Sequence, residues 1–212
     1  MPAYPIELEL RGRTVVVVGF GAVGRRKAEG LAAAGARVVA VDPAGRRDEV
    51  PAGVELVAES YRADHLQGAS LVIAAAVDEV NHQVVADARR AGIWVGSASA
   101  PEDGDFSVPA IWRDGPLLVT VSTAGASPAL AAVLRDRAAE AIGPAAGGLL
   151  GLLAELRPQV LARIDNPSVR RNVLTRWADP KWLELCESEG AEAVRRELVR
   201  MIDAAIDRTP LE

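Results

Sequence analysis

RTVVVVGFGAVGRRKAEGLAAAG, residues 13–35, decides the fold of this chain. Arg13 to Val18 reads RTVVVV, β-branched without a break from Thr14 on, the pattern of a strand covered on both faces in a parallel sheet. Gly19-Phe20-Gly21-Ala22-Val23-Gly24 follows at once and spells G-x-G-x-x-G. A helix comes next, with Val23, Leu31 and several alanines as its expected narrow apolar side and Gly35 as its stop. A glycine motif placed between strand and helix reads as a dinucleotide-binding turn. Gly19 permits the tight turn, Gly21 lets a pyrophosphate approach the backbone, and Gly24 allows the helix to pack closely on the strand. The helix N-terminus supplies N–H donors and the positive end of its dipole. Phe20, Ala22 and Val23 join the glycines as expected cofactor contacts.

Outward from that stretch, a second apolar strand, Arg37–Val41, ends on Asp42. A carboxylate there is placed to accept hydrogen bonds from ribose hydroxyls and to repel a 2′-phosphate, which favours NAD over NADP. Arg46 and Arg47 lie just beyond and leave NADP open, since an arginine can stack on adenine or neutralise a phosphate. Pro43 beside Asp42, and Ala75 and Ala76 at the end of the fourth strand, are further expected cofactor contacts. Strands are expected at Val54–Ala58, Leu71–Ala76 and Ile93–Val95, with a helix over Asp78–Ala91 whose apolar stripe is Val80, Val84 and Ala88. Alternating strands and helices imply βαβ crossovers and a Rossmann-type α/β fold, a doubly wound parallel sheet.

The pattern changes after SASAPEDGD. Phe106–Arg113 and Leu117–Ser122 flank Asp114-Gly115, a hairpin signal. Ser127-Pro128 then supplies an N-cap and a first-turn proline for a helix ending near Gly143. Beyond Gly147 the chain reads as helical, interrupted at Asp165-Asn166-Pro167 and Asp179-Pro180. The expected organisation is a nucleotide-binding domain over 1–105, a small α+β region over 106–146 and a C-terminal helical domain over 147–212.

Composition narrows the function classes. With 212 residues, half of them apolar, a substantial core is feasible. The single cysteine, Cys186, excludes an internal disulfide and a cysteine-rich metal cage within one subunit. The net charge of −5 argues against nucleic acid as the main partner. No apolar run approaches the roughly 18 residues of a membrane span, so the expectation is a cytoplasmic protein without a membrane partner.

The order of motifs resembles the precorrin-2 dehydrogenase family, which includes the N-terminal module of siroheme synthase. The likeness runs through YPIELELRGRTVVVVGFGAVGRRKAEGL with its Arg26-Lys27 pair, through Asp78-Glu79-Val80-Asn81, and through PEDGDFSVPAIWRDGPLLVTVSTAGASPALAAVLRD. In the last block Phe106, Pro109-Ala110, Gly115-Pro116-Leu117, Ser122, Gly125 and Ser127-Pro128 fall in the family's order. The resemblance implies NAD-dependent oxidation of precorrin-2 to sirohydrochlorin. It also implies a homodimer joined through the 106–146 region, and a tetrapyrrole held beside Ser122, Gly125 and Ser127.

Ser99 stands where family members commonly carry an aspartate tied to dehydrogenation and, in bifunctional members, to iron insertion. Ala76 and Val77 replace the family's acidic pair. Serine is a poor iron ligand and no general base without an activating partner. The expectation is therefore a dehydrogenase without chelatase activity and without a protein-bound metal. Its catalytic candidates are Ser99 and, a few residues on in the same loop, Asp105. A bifunctional dehydrogenase and ferrochelatase, a relative redirected to another substrate or metal task, and a non-catalytic NAD-binding module are the alternatives. Asn81 is either a nicotinamide or ribose contact or a polar helix residue, and Ser127 either a substrate contact or only a cap. His65 and His82 read as surface residues, and Trp112, Trp177 and Trp182 as packing.

Overall fold

The computed structural model describes residues 3–206 except Arg47 and Glu49. Two compact units divide the chain between Val108 and Pro109. The first is built on β1 (Thr14–Val18), α1 (Ala22–Ala33), β2 (Arg37–Val41), β3 (Val54–Val57), β4 (Leu71–Ala74), α2 (Asp78–Ala91) and β5 (Trp94–Ser97). These five strands form one sheet in the order β3-β2-β1-β4-β5, with every pairing parallel.

The valine run works as its sequence suggests. Val15 and Val17 face the core that contains Ala28 of α1, while Val16 and Val18 face the core that contains Val84 and Ala88 of α2. All four are at most 1% exposed, so each contributes on the order of 1.5 kcal/mol or more of hydrophobic burial. With α1 on one face and α2 on the other, the sheet is doubly wound. Strand order reverses at β1, which leaves a crevice beyond the carboxyl ends of β1 and β4.

Several local expectations are corrected. Among the described residues α-helices cross only from β1 to β2 and from β4 to β5; a 3₁₀ turn at Ala63–Leu66 precedes β4. Val23 is exposed, and the buried residues of α1 are Gly24 and Ala28. Close packing of Gly24 on the glycine turn fixes the rotation of the helix, and one residue is about 100° of rotation. The fourth strand stops at Ala74 and the fifth is shifted to Trp94–Ser97. Phe106 does not begin a hairpin strand; it packs into the core of the first unit, its ring against Gly96.

In the second unit β6 (Ala110–Asp114) and β7 (Leu117–Val121) pair antiparallel across a Gly115-Pro116 turn. Helix α3 (Pro128–Ile142) is capped by Ser127, whose hydroxyl accepts the Leu130 N–H at 3.2 Å, and ends at Gly143. Then come α4 (Ala146–Arg163), α5 (Pro167–Arg176), α6 (Lys181–Glu189) and α7 (Ala191–Ile206). The Asn166 carboxamide accepts the Ser168 and Val169 N–H groups, which explains the break at that point. Leu152, Leu156, Val160, Trp177, Trp182, Val194, Leu198 and Ile202 form a common core, so Trp177 and Trp182 are packing residues as expected. Among the described residues no single helix is long and apolar enough to cross a membrane; α3 and α4 pass together only as a pair bent by 64°.

Candidate functional site

The carboxyl ends of β1 and β4 meet backbone to backbone. Gly19 has φ +93°, a conformation costly for residues with a side chain, and a methyl group there would lie 2.4 Å from the Ala75 carbonyl oxygen. A methyl on Gly24 would lie 1.9 Å from the Gly19 carbonyl oxygen. The turn is thus clamped between β4's continuation and the first turn of α1. At Gly21 the same test meets nothing within 4 Å. The surface where a pyrophosphate would approach is open, and no side chain caps α1 or places an acid in its first turn. Those features fit a dinucleotide phosphate on the helix N-terminus.

Asp42 lies at the rim of this turn. Its carboxylate accepts the Phe20 N–H at 2.6 Å and the Ala44 N–H at 2.8 Å. An ionised carboxylate has about four acceptor positions, so it retains capacity for ribose hydroxyls. Pro43 is exposed in the turn that Asp42 organises. Phe20 turns its ring into the core and offers only backbone to the crevice. The Arg25 guanidinium stands 5.7 Å from that ring. Arg46 is forked onto Asp48, at 2.6 and 3.2 Å, and holds its carboxyl below the usual range. Arg47 lies outside the described residues. Lys27 is half-buried, and burial together with neighbouring Arg26 pushes its ammonium pKa down.

Ala75, Ala76, Asn81 and Ser99 come together at the next strand end. Asn81 is 3% exposed. Its side-chain oxygen accepts the Ala76 N–H at 2.9 Å, and its amide nitrogen donates to the Ala76 carbonyl at 3.0 Å and to the Ser99 hydroxyl oxygen at 3.0 Å. Sequence reasoning missed this clamp. The buried side of α2 is Asn81, Val84, Val85 and Ala88, and reading the stripe from Asn81 instead of Val80 would have shown it. Because the Ser99 oxygen accepts from Asn81, its own proton remains available for donation outward.

Asp105 is tied elsewhere. Its carboxylate accepts the Val95 N–H at 3.0 Å while its N–H donates to the Val95 carbonyl at 2.7 Å. It closes the free edge of β5, which is a structural task. The loop between Ser99 and Asp105 is held on α2 by Arg89, which donates to the Asp103 carbonyl at 2.7 Å. His82 is exposed, 3.8 Å from the Asp103 carboxylate, and His65 accepts the Arg62 N–H. In the second unit, Ser122, Gly125 and Ser127 share the β7–α3 loop. Ser122 accepts the Ala124 N–H, Gly125 has φ +84°, and Ser127 is engaged as a cap. Among the described residues no three His, Cys, Asp or Glu side chains gather as a metal-binding group.

Residues 6–110 match a family model described as putative NAD(P)-binding, and residues 114–138 match one described as sirohaem biosynthesis protein central. The siroheme synthase of Nitrosomonas eutropha is 32% identical over 217 residues, covering 100% of this chain and 46% of that one. The chain belongs to the family of the siroheme synthase N-terminal module. The siroheme synthase of Methylococcus capsulatus is 37% identical over 210 residues, 97% of this chain and 44% of its own. The chain thus spans a little under half the length of these siroheme synthases. A solved structure titled SirC, precorrin-2 dehydrogenase, superposes with a TM-score of 0.77 over 95% of this chain and 100% of that one. At 22% identity, that likeness supports the fold.

Proposed function

We propose that this chain is a cytoplasmic homodimer that oxidises precorrin-2 to sirohydrochlorin with NAD and inserts no metal. The observation that carries the reading is the junction at the sheet's switch point. Asn81 fixes both the Ala75–Ala76 backbone, on which the dinucleotide turn rests, and the Ser99 hydroxyl. Bound NAD would supply a hydride acceptor. The chain's own contributions are placement and polarity. Gly21 and the open end of α1 hold phosphate, and Asp42 holds ribose. Ser99 presents an O–H to the reduced macrocycle while the proton lost on oxidation leaves to solvent. Serine at this position, in place of an aspartate, gives no hard anionic ligand for iron, and this supports dehydrogenation without chelation.

NAD preference rests on Asp42, with Arg46 occupied by Asp48. Asp42→Asn keeps an acceptor for the backbone but removes the charge that repels a 2′-phosphate. The ratio of NADP to NAD dissociation constants, measured by fluorescence, is expected to fall roughly tenfold. An unchanged ratio would remove Asp42 from the selection.

The dimer is supported by α3, whose Leu130, Val133 and Leu134 are 40–50% exposed at one-turn spacing, forming an apolar stripe. Val133→Asp is expected to give the monomer mass by light scattering while the melting curve of the first unit stays in place; a dimer mass in that variant would place the interface elsewhere.

The reading as a whole is tested by anaerobic incubation with precorrin-2 and NAD, with ferrous ion in a parallel arm. Sirohydrochlorin should form, and its conversion to siroheme should not exceed the protein-free control. Faster metal insertion than that control would favour a bifunctional enzyme.

A further inference from the structure

Helix α5 is PSVRRNVLTR, three arginines and no carboxylate in ten residues, in a chain whose acids outnumber its bases 29 to 24. Its inward side, Val169 and Val173, continues through Trp177 into the helical core. Its outward side lines an open groove of about 400 Å³ with Ser168, Arg171, Asn172, Thr175 and Arg176. Elsewhere in this unit Arg135, Arg163, Arg195 and Arg200 close on Asp136, Asp203, Glu155 and Glu197. Among the described residues neither Arg171 nor Arg176 makes an ion pair, and every side chain of the groove offers a hydrogen-bond donor.

The spacing describes the ligand. At about 100° and 1.5 Å per residue, Arg171 and Arg176 are roughly 140° apart around the helix and roughly 7.5 Å apart along it. They form the two flanks of the groove, and Ser168, Asn172 and Thr175 form the strip between them. Guanidinium forks match carboxylates in a bidentate way. Two forks on opposite flanks, with hydroxyl and amide donors between, suit a molecule carrying several carboxylates better than one compact anion. We infer that the outer face of α5 binds the carboxylate arms of a polycarboxylate. Resting on the function proposed above, these arms are the acetate and propionate side chains of the tetrapyrrole.

The test uses uroporphyrin, with eight carboxylates, and mesoporphyrin, with two, as probes of the full chain at fixed ionic strength. R171A/R176A is compared with the parent and with R37A/R200A, which removes the same charge at exposed arginines that do not line the groove. The dissociation constant for uroporphyrin is expected to rise about tenfold or more in R171A/R176A and to stay within about twofold in the control. Mesoporphyrin should respond less, NAD affinity should be unchanged, and KM for precorrin-2 should rise with kcat largely kept. Uroporphyrin binding in R171A/R176A equal to the parent, or no binding by the parent, overturns the inference. So does a changed oligomeric mass in R171A/R176A with binding intact, which would assign the face to an acidic protein surface. If the parent oxidises precorrin-2 and R171A/R176A does so with the same KM, the α5 face fails alone. If uroporphyrin binding depends on these arginines but no precorrin-2 is oxidised, the proposed reaction fails and the carboxylate face stands.

Discussion

Gly24→Ala should weaken NAD binding sharply and destabilise the first unit together. The added methyl would sit 1.9 Å from the Gly19 carbonyl oxygen and 2.9 Å from its carbonyl carbon, both backbone atoms. Gly19 has no room to retreat, because it already packs on the Ala75 carbonyl and the Ala76 nitrogen. The strain can be relieved only by lifting α1 off β1, which uncovers Ala28 and the valines beneath it. Overpacking of this kind costs about 3 kcal/mol or more, and a lowering of Tm by roughly 10 °C follows for a unit of this size. NAD affinity should fall by at least about 100-fold, since the amides of the first turn move with the helix. Gly21→Ala separates the two effects. Its methyl meets no protein atom, so Tm should change by less than the equivalent of about 1 kcal/mol, while NAD binding weakens because the methyl occupies the approach to the phosphates. Thermal melting and calorimetric titration of both variants check this; a Gly24→Ala protein melting like the parent would refute the clamp.

Asn81→Leu has the second largest expected effect. The substitution keeps the volume but leaves the Ala76 N–H and carbonyl without their partner and releases the Ser99 hydroxyl. Unpaired groups of this kind cost about 1–3 kcal/mol each, so a loss on the order of 3 kcal/mol in stability is expected. Turnover of precorrin-2 should fall at least about tenfold beyond any loss of NAD affinity, because Ser99 is no longer held. Asn81→Asp gives a sharper readout. Burial raises the carboxyl pKa of the introduced acid, and only its protonated form can donate a hydrogen bond. Activity of Asn81→Asp relative to the parent should therefore rise as pH falls through that raised pKa and drop as pH increases. A relative activity independent of pH would mean that donation from residue 81 is not needed.

Elements defined by neighbouring residues were legible in the sequence. The valine run, the glycine turn and Asp42 are local features, and the structure puts them where the pattern implies. The capped start of α3 at Ser127-Pro128 and the break before α5 at Asn166 are of the same kind. What was not legible depends on contacts between distant residues. Val80, Val84 and Ala88 fit an apolar stripe as well as the buried set does, so the rotation of α2 that brings Asn81 inward is set only by Ala76 and Ser99. Phe106 lies in an apolar run that reads as strand, yet Gly96 leaves a space that its ring fills. Asp105 sits in a loop suited to catalysis or to a turn, and only the unpaired Val95 amide at the edge of β5 decides between them. The groove on α5 was not legible as a face, because its meaning depends on how the helix is turned and on which acids lie near it.

The most direct test of the central claim is anaerobic mixing of the purified chain with precorrin-2 and NAD, following NADH and the visible spectrum of sirohydrochlorin in the same cuvette. The two should appear together, about one NADH for each sirohydrochlorin, as transfer of a single hydride requires. Tight NAD binding with neither NADH nor the new chromophore would contradict it, and would make the chain a nucleotide-binding module that performs no oxidation.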